Sequence, residues 1–92
     1  MKTICEYSLL PQTVQQFLMP TNAKVLSVDE KDNRIFIWAE VDSEDSGSYR
    51  SFRVYGTGHP HLNENQRFIG TVKLDNGALV FHVYEVVYEV AP

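Results

Sequence analysis

No long stretch of this 92-residue chain keeps apolar side chains at the three- and four-residue spacing of a helix face. They recur instead at every second position. Successive side chains of an extended strand point to opposite faces, so such alternation encodes a sheet with one buried side. Residues 34–41 show it best: Ile35, Ile37, Ala39 and Val41 lie on one face, Phe36 and Trp38 on the other.

The same pattern predicts strands over residues 2–8, 23–30, 49–57, 67–74 and 78–90. Residues 13–18, between Pro11 and Pro20, leave little room for a stable helix and are read as a further short strand. Asp32-Asn33 and Asp75-Asn76-Gly77 supply hairpin turns, because Asp, Asn and Gly tolerate positive φ. Residues 43–48 form a polar loop. Six to seven mostly antiparallel strands with short turns predict an all-β fold, a single domain over residues 1–92. The architecture expected is a small β-sandwich or a partly open barrel.

The final predicted strand is apolar on both faces. Leu79, Phe81, Val83 and Val87 point one way; Ala78, Val80, Tyr84, Val86 and Tyr88 point the other. A half-solvated strand would alternate with polar residues, so this one is expected at a sandwich centre or under a second chain that covers its outer face. A homo-oligomer is the expectation.

Composition narrows the partners. A formal net charge of −4 and a pI near 5.2 argue against long nucleic acid. A small anion in a local basic pocket stays open, since local fields follow local arrangement. The lone Cys5 cannot form an internal disulfide, no signal-peptide pattern opens the chain, and no apolar run approaches a membrane span. Cytoplasm is the expected compartment, with no membrane partner.

The candidate site is the run Tyr55-Gly56-Thr57-Gly58-His59-Pro60-His61, where a strand breaks into a tight polar turn. Amides of Gly56, Thr57 and Gly58 are placed to form a concave phosphate nest, with the Thr57 hydroxyl as a further donor. Arg50, Arg53 and Arg67 are near enough in sequence to supply charge. Arg50 and Arg53 fall on opposite strand faces, so only one of them reaches the ligand. Tyr55, Trp38 or His59 would contact a base or ribose. The competing reading is a glycine-dependent corner with no ligand.

No catalytic constellation and no cofactor motif accompanies the turn. Cys5 reads as a small apolar filler, and His82 and Glu85 lie on opposite faces of their strand. A metal site from His59, His61 and His82, completed by Glu64 or Cys5, is a weaker alternative that implies a hydrolase.

Taken together, these blocks resemble a family of small, largely uncharacterised bacteriophage and prophage proteins. The resemblance runs through Met1-Lys2-Thr3-Ile4, Met19-Pro20, Trp38-Ala39-Glu40-Val41-Asp42, Arg50 to Pro60, Phe68-Ile69-Gly70-Thr71-Val72 and Gly77 to Glu85. His61 departs from the aliphatic residue usual after the proline. The resemblance implies a non-enzymatic phage accessory protein in the host cytoplasm. One activity known for such proteins is to bind and sequester a nucleotide-derived immune signal. The alternative it leaves is a protein-binding module that inhibits a host enzyme or serves phage assembly.

Overall fold

Every alternating segment forms a strand in the computed structural model, which describes residues 1–11, 13–61 and 65–87. The strands are β1 (Lys2–Leu9), β2 (Val14–Pro20), β3 (Lys24–Lys31), β4 (Arg34–Asp42), β5 (Gly47–Gly56), β6 (Gln66–Leu74) and β7 (Leu79–Val86). They make two sheets, β1-β4-β3 and β2-β5-β7-β6, and every pairing is antiparallel. The sheets do not close into a barrel. The sandwich expectation holds.

Inward residues follow the alternation. Ile35, Ile37, Ala39 and Val41 of β4 meet Phe52 and Val54 of β5, Val72 and Leu74 of β6, and Phe81 and Val83 of β7. Burying a side chain such as Ile37 or Phe52 contributes about 1.5–3 kcal/mol. Tyr7, Phe17 and Phe52 continue the core as a run of tilted rings at 5.6 and 6.0 Å.

The two predicted hairpin turns form and are joined. Asp32 and Asn33 take φ of 53° and 59°, which matches the twist of the β3–β4 hairpin. Asp75, Asn76 and Gly77 take 51°, 54° and 89° between β6 and β7. The Asn33 side-chain amide donates to Asp75 Oδ1 at 2.7 Å, and the Asp75 backbone N–H donates to Asn33 Oδ1 at 2.8 Å. One tip from each sheet is thereby tied to the other.

Strand limits differ from expectation where edges tolerate what sequence rules penalise. β2 runs on through Pro20, because an edge strand can lack a ladder N–H. β5 starts already at Gly47, shortening the expected loop to residues 43–46. The continuation of the last strand over residues 88–90, Tyr88 included, lies outside the described residues, as does Glu64. The outer face of β7 carries Val80, His82, Tyr84 and Val86, with no described layer above it.

Candidate functional site

The glycine-bracketed bend begins where Gly56 ends β5 opposite Phe81. His59 N–H donates to the Gly56 carbonyl at 3.0 Å, closing a turn in which Gly58 takes φ of +85°. Thr57 N–H donates to the Val80 carbonyl at 3.1 Å, and the Thr57 hydroxyl donates to the same oxygen at 3.2 Å. The amides of Thr57 and His59 are therefore engaged within the protein. Of the expected phosphate nest built on Gly56, Thr57 and Gly58, the Thr57 amide is thus already taken by Val80. A Cβ on Gly58 would meet nothing within 4 Å, so the positive φ alone requires glycine there.

Thr57 also fixes His82. Its hydroxyl oxygen lies 2.8 Å from His82 Nε2, and the Thr71 hydroxyl lies 2.9 Å from Nδ1 of the same ring. Both ring nitrogens have partners, as a structural histidine should. Among the described residues no group of three His, Cys, Asp or Glu side chains converges to hold a metal ion.

The eight residues expected at the site separate into three places. Trp38 sits on the outer face of the three-stranded sheet, its ring 6.2 Å from Phe36, with the sandwich core between it and the bend. It does not reach the bend. Arg50 points into the sandwich, donating from Nε and Nη2 to the Glu85 carboxylate at 2.6 and 2.8 Å and from Nη1 to the Ala23 carbonyl. Its hydrogen bonds to Glu85 raise its pKa further above the usual guanidinium value, although burial opposes this. It does not reach the bend either, because β5 carries no bulge that would bring Arg50 and Arg53 to one face.

Arg53, Tyr55 and His59 do come together. With Thr13, Val14 and Pro60 they line a cleft of about 260 Å³ beside the bend. Tyr55 is held by a 2.8 Å hydrogen bond from its hydroxyl to Gln66 Oε1 and by stacking on His61 at 4.5 Å. Tyr84 meets both rings edge-on and Phe68 extends the group. Sequence reading missed Tyr84 and Phe68, and weighed His61 as a metal ligand rather than as a stacking partner of Tyr55. The signal was present only as cross-strand partnership: Arg53, Tyr84 and Phe68 share one row across β5, β7 and β6.

The two outer faces differ in charge. Among the described residues, the four-stranded sheet presents Arg53, Lys73 and His82 outward and no carboxylate. The three-stranded sheet presents both signs, Glu6, Asp29, Glu40 and Asp42 beside Lys2, Lys24, Lys31 and Arg34. Lys2 pairs with Glu40 and Lys31 with Glu6. Val14, Leu18, Tyr49 and Phe68 on the carboxylate-free face are 45%, 60%, 70% and 55% exposed, too apolar a set for an idle surface.

Fold and surface define a small antiparallel β-sandwich with one open face that carries aromatics and cations and, among the described residues, no carboxylate. The chain belongs to the family described as a domain of unknown function (DUF7352), which it matches over residues 1–91. No curated protein and no solved structure matches it. Among the described residues no helix is long and apolar enough to cross a membrane.

Proposed function

We propose that the chain is a non-enzymatic phage accessory protein of the host cytoplasm that binds and sequesters a phosphate-bearing, nucleotide-derived immune signal. The observation that carries this is the meeting of Arg53, Tyr55 and His59 around one cleft on a face without described carboxylates. A guanidinium pairs bidentately with phosphate, and the Tyr55 ring, already held by Gln66, offers a fixed stacking surface. Backbone amides contribute less than the sequence suggests, so side chains carry the recognition.

Size sets a further condition. A cleft of about 260 Å³ falls below the roughly 300–1,000 Å³ of a complete small-molecule site. One chain accommodates a phosphate and sugar; the remainder of the ligand lies over the aromatic row or under a second subunit. The homo-oligomer thus belongs to the same reading.

Calorimetric titration with cyclic oligonucleotides and ADP-ribose-derived nucleotides tests it. One of them should bind without being consumed, and Arg53→Ala should weaken it about tenfold to a hundredfold, the loss of a charged hydrogen-bond pair. Absence of heat across the panel sinks the reading.

A second reading has its own observation. The exposed Val14, Leu18, Tyr49 and Phe68 suit a protein partner, such as a host enzyme or a phage assembly component. In that case Leu18→Asp abolishes capture of the partner while Arg53→Ala leaves any nucleotide titration as flat as before.

A further inference from the structure

Arg50 and Arg67, two of the three arginines near the bend in sequence, meet at a different place. Edge strands β3 and β6 face each other across the sandwich, and a cavity of about 390 Å³ opens between them. Both strands are irregular at this point. β3 shifts register between Val25 and Ser27, and β6 between Phe68 and Gly70. The residues displaced from the two ladders are Leu26 and Ile69, and both line the cavity. A bulge takes a residue out of pairing and re-aims its side chain, and bulges concentrate beside functional sites. Both bulges turn toward this one cavity.

Charge gives the second observation. The cavity is lined by the Arg50–Glu85 pair, whose side chains are only 18% and 10% exposed. Three of the five N–H donors of a guanidinium are accounted for, two on Glu85 and one on Ala23, so donor capacity remains. Lys24 and Arg67 stand on the same lining, exposed, and neither joins an ion pair among the described residues. Three cations thus face one carboxylate, in a chain of net charge −4.

We infer that this seam cavity is a binding site for a small amphipathic anion. A phosphate or carboxylate head lies between Lys24 and Arg67, near the remaining Arg50 donors, and an apolar ring or short chain rests on Leu26 and Ile69. The site is independent of the cleft at Arg53, since Arg50 and Arg53 are on opposite faces of β5.

Amide chemical-shift titration of the full chain with phenyl phosphate, phenylacetate and inorganic phosphate tests this. Saturable shifts should map to residues 24–26 and 67–69. Phenyl phosphate should bind at least about tenfold tighter than inorganic phosphate, the apolar ring making the difference. The tighter of the two phenyl compounds identifies the head group as phosphate or carboxylate. Arg67→Ala, at an exposed position, should weaken both organic anions about tenfold. Leu26→Ser should weaken phenyl phosphate and leave inorganic phosphate unchanged, a separation that a purely structural role would not produce. Unsaturable shifts, shifts confined to Arg53 and His59, or unchanged affinity in Arg67→Ala overturns the inference.

Discussion

Arg50 and Glu85 occupy inward positions where alternation alone would place apolar side chains. Two effects compete there. Removing both charges from water costs several kcal/mol, while the bidentate geometry and the Ala23 carbonyl return most of it. The pair therefore contributes little to net stability, yet its breakage is expensive. Glu85→Gln is expected to lower unfolding free energy by about 3 kcal/mol, whereas Arg50→Leu combined with Glu85→Leu should lose far less. Urea titration of the three proteins measures the difference. If the double variant is no more stable than Glu85→Gln, the desolvation argument fails. Nearby Tyr7 adds a pH dependence. Burial raises its pKa above 10.0, with Cys5 adding to the rise and Arg50 opposing it. A raised folded pKa means stability is complete below 10.0 and declines as pH climbs toward the folded value. Tyr7→Phe should flatten that alkaline decline in denaturant midpoints measured across pH 10.0.

Strands were legible because their signal is local. Alternation at Ile35, Ile37, Ala39 and Val41 states both the element and its buried face, and Asp32-Asn33 states the turn. What decided the site was not local. The engagement of the Thr57 amide depends on Val80, twenty-three residues away in sequence, and the role of Arg50 depends on Glu85. Bulges were hidden for the same reason: nothing in Ala23 to Ser27 announces a register shift until β4 is laid beside it. Gly70, at the β6 bulge, shows what the irregularity protects. A Cβ there would stand 2.7 Å from Val28 Cγ1, and a β-branched valine has little rotamer freedom to withdraw. Gly70→Ala should cost about 1–3 kcal/mol by overpacking, and Val28→Ala in the same chain should recover part of it. Equal losses from both changes, simply added, would show that the two strands do not press on each other at this point. Gly58→Ala makes the contrast, because its Cβ meets open space and only the positive φ is penalised, by about 1–2 kcal/mol.

At the scale of the whole molecule, two sheets form a slab with a smallest extent of 15 Å, and among the described residues neither outer face is covered. The faces are unlike. One mixes Glu6, Asp29, Glu40 and Asp42 with Lys2, Lys24, Lys31 and Arg34; the other carries Arg53 among Tyr49, Tyr55, Phe68 and Tyr84, a mixture of tyrosine, phenylalanine and arginine that typifies interface centres. Four strands at about 4.8 Å spacing and roughly eight residues in length give this face a projected area of about 500 Å². Standard interfaces bury about 800 Å² per partner, so self-association through the sheet alone should be concentration-dependent and strengthened by a ligand shared between two clefts. Sedimentation velocity over a hundredfold range of concentration should therefore show a shift from monomer toward oligomer, on the order of micromolar affinity. Leu18→Asp places a charge on the aromatic face and should hold the chain monomeric. Ile4→Asp, at a residue 59% exposed but on the opposite face, should leave the shift unchanged. Reversal of those two outcomes would assign the interface to the opposite sheet. A chain that stays monomeric at every concentration, yet binds the proposed nucleotide fully, would show that one cleft suffices.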